Sequence, residues 1–226
     1  YDYEGWELEF FDNAKNFRKY QFSFILDHIK GKTAEIGPGT GNNLNYYHHK
    51  TGSLYLFEPS KILFDQLKDK NLQYSNTQFF NRDFSSYGGK FDTIMYLDVL
   101  EHIKDDKKEF LNSYAKLNYG GSLIINVPAF NFLFSEFDRN VGHYKRYVKK
   151  DFIKFISEIS PSYYKLVYYD SIGFILLLMS KIFVFSNNSK IGNRIDFWNK
   201  LIPLSKIIDR ISFFSFGKSL LFVIKK

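Results

Sequence analysis

Glu35-Ile36-Gly37-Pro38-Gly39-Thr40-Gly41-Asn42-Asn43 is the stretch on which the fold turns. It follows the short apolar run 33–36 and precedes a segment of helical length, 42–49. A glycine-rich turn from strand to helix lets the backbone approach a ligand closely, and leaves the helix N-terminal N–H groups facing it. Glycines at 37, 39 and 41 are costly in conformational entropy, more than a tight turn alone requires. A dinucleotide fingerprint needs a glycine at position 42, where this chain has Asn42, so the spacing argues against a nicotinamide cofactor.

Outward from this turn, apolar runs at 53–57, 77–80, 91–97 and 122–127 join 33–36 as five expected strands. Helical stretches at 42–49, 61–70 and 105–117 alternate with them, the signature of a parallel sheet covered by helices. Residues 151–159 read as a further helix stopped by Pro161, and 163–169 and 219–224 as two more strands. Upstream, Trp6, Phe10, Phe17, Tyr20, Phe24 and Ile25 fit one or two amphipathic helices. The expected organisation is an N-terminal helical cap at 1–32, a core at 33–170, a helical insertion at 171–217 and a last core strand at 218–226. Within the insertion, Asn187 to Ser189 and Pro203 are expected breaks.

The 226 residues suffice for one large α/β domain, and a 45% hydrophobic content leaves ample surface to bury. The absence of cysteine excludes disulfides, thiolate zinc sites and a cysteine nucleophile, and fits a cytoplasmic protein. Four acids and no base among residues 1–9 are the opposite of a secretory signal's basic start. The net charge of +7 is placed unevenly: residues 171–226 hold nine Lys and Arg against two Asp, and the rest is balanced. The same quarter holds the most apolar run, 172–185, which Lys181 interrupts and which is shorter than the roughly 20 residues a spanning helix needs.

Three further elements accompany the glycine turn. Glu58-Pro59 closes the second strand, where a carboxylate accepts hydrogen bonds from the vicinal hydroxyls of a ribose. Asp83-Phe84 follows the third, with the acid able to accept from an adenine amino group and the apolar neighbour able to pack on the ring. Asp98-Val99-Leu100-Glu101-His102 closes the fourth, opposite the glycines; Asp98 with Glu101 also reads as a helix cap.

In order and spacing this set resembles the class I, seven-stranded, Rossmann-like S-adenosylmethionine-dependent methyltransferases over residues 33–226. The resemblance implies a three-layer α/β fold whose last strand is antiparallel. It implies S-adenosylmethionine as the cofactor, held by Glu35, Gly37, Pro38, Gly39, Gly41, Glu58, Pro59, Asp83, Phe84, Asp98 and Val99. Asp98, Glu101 and His102 also resemble the Glu-x-x-Glu-His metal ligands of ubiquinone-pathway and small-RNA O-methyltransferases. Asp98 is shorter than the glutamate of that set, and no metal is expected.

Methyl transfer is a direct displacement, so positioning supplies much of the catalysis. A hydroxyl acceptor usually also needs a base. The segment from Phe137 to Tyr147 follows the fifth strand at the edge where ligands bind in such folds. His143 is the expected base, with Asp98 beside it, because an imidazole titrates near neutral pH. Tyr144 and Arg146 are expected to contact substrate, unless Arg146 pairs with Asp138 or Glu136 and His143 with backbone. The segment from Gly142 to Tyr147, after Val127-Pro128-Ala129, resembles a subgroup of bacterial methyltransferases found with glycan and lipid biosynthesis.

The expected reaction is therefore O-methylation of a small-molecule, glycan, quinone or lipid-linked acceptor. An RNA methyltransferase, a non-catalytic cofactor-binding partner and a nicotinamide-dependent oxidoreductase rank below it. The basic, apolar segment 171–217 suits peripheral contact with an anionic membrane, or alternatively a buried helical subdomain or dimer contact. Nucleic acid is not an expected partner, because that segment is too apolar to bind phosphates and no dedicated module is present.

Overall fold

Seven strands form one sheet in the order β3-β2-β1-β4-β5-β7-β6. They are β1 (Lys32–Ile36), β2 (Ser53–Phe57), β3 (Thr77–Phe80), β4 (Phe91–Leu97), β5 (Leu117–Pro128), β6 (Tyr163–Tyr169) and β7 (Ser219–Lys225). The computed structural model describes Gly5, residues 8–182 and residues 191–226. β1 to β5 pair in parallel, and β7 runs antiparallel between β5 and β6. This is the three-layer α/β arrangement expected from the sequence.

Register places the functional residues. Ile36 pairs with Phe57 on one side and Tyr96 on the other, so β1, β2 and β4 end nearly level. Gly37, Glu58 and Asp98 therefore leave the sheet at one edge. The central strands are buried on both faces, which is why they read as continuous apolar runs rather than alternating ones.

The helices are α1 (Leu8–Phe11), α2 (Lys15–Ser23), α3 (Leu44–Tyr47), α4 (Lys61–Asn71), α5 (Asp106–Ala115), α6 (Glu136–Asn140), α7 (Lys149–Ile156), α8 (Ser171–Ile182), α9 (Ile191–Lys200) and α10 (Ile202–Ile211). One face of the sheet packs Ile94, Tyr96, Leu123 and Phe222 against Phe110 of α5 and Phe152 of α7. The other packs Leu54, Leu56, Met95 and Leu221 against Phe17 and Tyr20 of α2, Leu44 of α3, Trp198 of α9 and Ile202 of α10. The N-terminal cap and the insertion thus share one layer. Asn199 fastens them, its Oδ1 accepting from the Asn16 and Phe17 backbone N–H groups at 2.9 and 3.1 Å.

Several boundaries differ from expectation. β5 begins at Leu117 rather than 122, because Gly120, at φ +73°, lets the chain continue through an irregular register. The helix expected at 42–49 shrinks to α3 and a 3-10 turn, His48–Lys50. α6 was not foreseen, although Ser135 and Asp138 carry its start signal: the Asp138 carboxylate accepts from the Ser135 N–H and hydroxyl, both at 2.8 Å. Pro203 opens α10 and breaks it from α9, as expected. Trp6 and the break at Asn187 to Ser189 lie outside the described residues.

Candidate functional site

Gly37, Gly39 and Gly41 take φ values of +62°, +58° and +82°, the left-handed region that side chains disfavour. A Cβ on Gly37 would stand 2.8 Å from Val99, and one on Gly41 would stand 2.5 Å from Asn71. At Gly39 the only neighbour among the described residues is the end of Leu8, at 3.0 Å. Pro38, Thr40 and Asn42 line an open cleft there together with Leu8, Phe11, Arg18 and Tyr46. The turn is a cradle, with the cap as its roof.

Glu58 is buried beside it. Its two carboxylate oxygens accept from the Gly39 N–H at 3.1 Å and the Ser60 N–H at 2.9 Å. Each oxygen keeps a lone pair for a ligand hydroxyl. Burial pushes Glu58 up to about 7, against the pull of those two N–H groups. Pro59 continues this turn into Ser60, the N-cap of α4. Glu35 lies beneath the glycines, fully buried; it accepts a hydrogen bond from Tyr47, and burial raises it to about 7 as well. It therefore braces α3 from below the cleft. Asp83 is exposed at the end of β3, whereas Phe84 is not on the cleft. Phe84 turns into the core against Phe57 and Phe91, with ring centroids 5.1 and 5.7 Å away.

Asp98 stands across from the glycines at φ +61°, a strained geometry for a non-glycine residue. Tyr169 donates to Asn126 Oδ1 at 2.7 Å, which turns the Asn126 amide so that Nδ2 donates to Asp98 Oδ1 at 2.7 Å. Arg18 of the cap reaches Asp98 Oδ2 at 3.4 Å. The expected helix cap by Asp98 is absent: a single 3-10 turn, Leu100–His102, follows Val99. Val99 packs on Gly37 instead.

Beyond Asp98 lies a second group of polar residues. Arg146 Nε and His143 Nδ1 each lie 2.9 Å from Asp138 Oδ1. Burial works against ionisation of Asp138, but hydrogen bonds from His143, Arg146 and Ser135, with the Arg146 charge, outweigh it and hold the carboxyl below its ordinary range. An ionised Asp138 only accepts, so His143 Nδ1 carries a proton, and in the neutral ring the lone pair is then on Nε2. Arg146 is buried and bound to Asp138, the pairing weighed against substrate contact, and Tyr144 is exposed.

Asp98 is not part of the metal-capable group that the fold assembles. Glu101, His102 and His143 offer ligand atoms within 4.8 Å of one another, a donor set able to hold a divalent cation. Both Glu101 oxygens are buried without a hydrogen-bond partner, and His143 Nε2 is 3.9 Å from Oε1. Burial and the Asp98 charge push Glu101 well above the usual carboxyl range. Burial and His143 pull His102 down to about 4. Sequence reasoning named Asp138 as a partner for Arg146 but not for His143, and it missed Arg18.

The family described as "Methyltransferase domain" matches residues 14–165. The chain belongs to that family. Its span takes in the roof helix α2, the glycine cradle and both polar groups, and stops within β6, so the insertion α8–α10 lies outside it. No curated protein matches the chain. Among solved structures, Haemonchus contortus phosphoethanolamine N-methyltransferase 2 in complex with S-adenosyl-L-methionine superposes with a TM-score of 0.63 at 15% identity, over 92% of this chain. The chain spans about half of that enzyme, 52%. Geranyl diphosphate C-methyltransferase from Streptomyces coelicolor gives 0.62 at 12% identity, covering 92% of this chain and 78% of the other. The N-methyltransferase NodS from Bradyrhizobium japonicum, in complex with S-adenosylhomocysteine, gives 0.58 at 13%, covering 94% and 87%. At these identities the likeness is one of fold: the seven-stranded methyltransferase architecture expected from the sequence.

The buried carboxyls of this methyltransferase domain make a pH prediction. A carboxyl raised in the folded state holds a proton that the unfolded chain has released, between the ordinary 4.5 and about 7 for Glu58 and Glu35. Stability is therefore lost as pH rises through that window and is not regained above it. The melting temperature of the ligand-free chain is expected to fall by at least about 2–4 °C between pH 5.5 and pH 8, from ~1 kcal/mol or more of lost stability, as thermal unfolding at the two pH values would read.

Proposed function

We propose that the chain is an S-adenosylmethionine-dependent methyltransferase that transfers the methyl group to a hydroxyl of a glycan, quinone or lipid-linked acceptor. The observation that carries this reading is the cradle: three left-handed glycines and a buried carboxylate bonded to the middle one, with lone pairs left over for a ribose diol. When bound, the cofactor supplies an electrophilic methyl group on a good leaving group. Gly37, Gly39 and Gly41 admit its backbone-facing parts, Glu58 orients the ribose, and Asp83 stands at the adenine end.

Asp98, pinned by Asn126 and Arg18, marks the boundary between cofactor and acceptor. His143 accepts the acceptor's hydroxyl proton on Nε2 while Asp138 fixes the ring and stabilises the imidazolium that forms. The neighbours' own names include nitrogen and carbon acceptors; a positioned base favours oxygen here, since a hydroxyl must lose its proton.

Purified chain incubated with S-adenosylmethionine and fractionated cell extract tests the reading. S-adenosylhomocysteine is expected to form with the lipid-linked or glycan fraction, at a rate unchanged by chelation. Formation only with the RNA fraction, or with none, would contradict it. A rate lost to chelator and restored by a divalent cation would assign Glu101, His102 and His143 to a metal.

A further inference from the structure

α10 turns two polar side chains inward beside Ile202 and leaves apolar ones outside. Its inward face carries Ser205 and Asp209, both fully buried, whereas Leu204, Ile207 and Ile211 point outward and are 46%, 56% and 72% exposed. The inward polar residues are fully used. Asp209 accepts from the backbone N–H groups of Asp170 and Ser171 at 2.7 and 2.9 Å and from Tyr20 at 2.9 Å, and Ser205 accepts from Ile172 N at 3.1 Å. These bonds close the N-terminus of α8 and fix which side of α10 faces out. The outward stripe at positions 204, 207 and 211 continues into Phe213, which is 89% exposed. Phe213 and Phe214 hold φ values of +52° and +55°, costly for residues with side chains, and the Phe214 N–H closes the helix on Asp209 O at 2.7 Å.

The occupant is chosen by charge. Lys200, the last residue of α9, and Arg210, in the last turn of α10, are exposed, whereas Lys206 between them is half-buried with its Nζ 5.2 Å from the Tyr20 ring. Of the two acids in 171–226, Asp209 is buried, leaving Asp196 as the exposed one. A second copy of this face would bring like charges against like. An anionic bilayer matches both features, taking the apolar stripe among its acyl chains and the cations at its headgroups.

We propose that the outer face of α10, with Phe213, docks the chain on anionic lipid. No helix among the described residues is long and apolar enough to cross a membrane, so this is attachment at the surface. On its inward side α10 is tied by Tyr20 to α2, the helix that carries Arg18. Docking is independent of the acceptor's identity.

Flotation of the full chain with vesicles tests it. Binding is expected to vesicles of equal parts phosphatidylcholine and phosphatidylglycerol, weaker by roughly ten-fold or more on pure phosphatidylcholine. Ile207→Ser with Ile211→Ser and Phe213→Ser should lower partition by at least about ten-fold while S-adenosylhomocysteine affinity stays unchanged, which shows the variant folded. Lys200→Glu with Arg210→Glu should do the same without touching the apolar stripe. Failure of the wild-type chain to float, or equal flotation of the variants, would overturn the proposal. So would a solution dimer that the triple serine variant converts to monomer, since the face would then join two copies. Retained cofactor affinity separates failure here from failure of the methyltransferase reading.

Discussion

Gly39→Arg leaves a chain that folds but no longer takes up S-adenosylhomocysteine, with affinity reduced by at least ~100-fold, about 2.8 kcal/mol. Two effects combine. Gly39 sits at φ +58°, where a side chain costs roughly 1–2 kcal/mol. Its Cβ direction also opens into the cleft, so the guanidinium chain occupies the space between Pro38 and the Leu8 roof. Because the only close neighbour among the described residues is the end of Leu8, the steric cost falls on the ligand rather than on the core. Calorimetric titration beside a melting curve separates the two. Near-normal binding by the variant would move the cofactor away from this turn.

His143→Ala is expected to lower kcat by roughly 10²–10⁴-fold, the usual range for a general base, with cofactor affinity intact. Asp138→Asn should reproduce much of that loss, since an amide no longer dictates which ring nitrogen carries the proton. The comparison carries more than either variant alone. Asp138 also receives Arg146 and Ser135, so its removal disturbs packing, whereas His143 is a surface-proximal ring whose loss leaves those bonds in place. A fully active His143→Ala enzyme would remove the base assignment.

The cradle was legible because everything it needs is local. The glycine spacing, the strand before it and Glu58 at the end of the next strand are all fixed within short stretches, and parallel register then brings them together. The second polar group was legible only in part. His143 and Asp138 are five residues apart and their hydrogen bond is local, but the approach of His143 to Glu101, which follows β4, is a long-range outcome that periodicity does not carry. The metal motif failed for the same reason: Asp98 is spent on Asn126 and Arg18, and the histidine that completes the set comes from beyond β5.

Phe84 shows the limit at the scale of one residue. Asp83 and Phe84 are adjacent, yet the backbone places one in solvent and the other among core rings, and apolar character decided which. The insertion was legible as apolar and basic, but not as turning polar side chains inward. That required knowing that Asp209 and Ser205 are consumed in closing α8, which forces Leu204, Ile207 and Ile211 outward.

The central claim is that the glycine cradle and Glu58 hold the methyl donor. Calorimetric titration of the purified chain with S-adenosylhomocysteine, and separately with NAD, measures this at the site itself. Saturable one-to-one binding of S-adenosylhomocysteine that Glu58→Ala weakens at least ~10-fold, with none for NAD, is the predicted result. Binding of NAD in its place, or S-adenosylhomocysteine binding indifferent to Glu58, would contradict it.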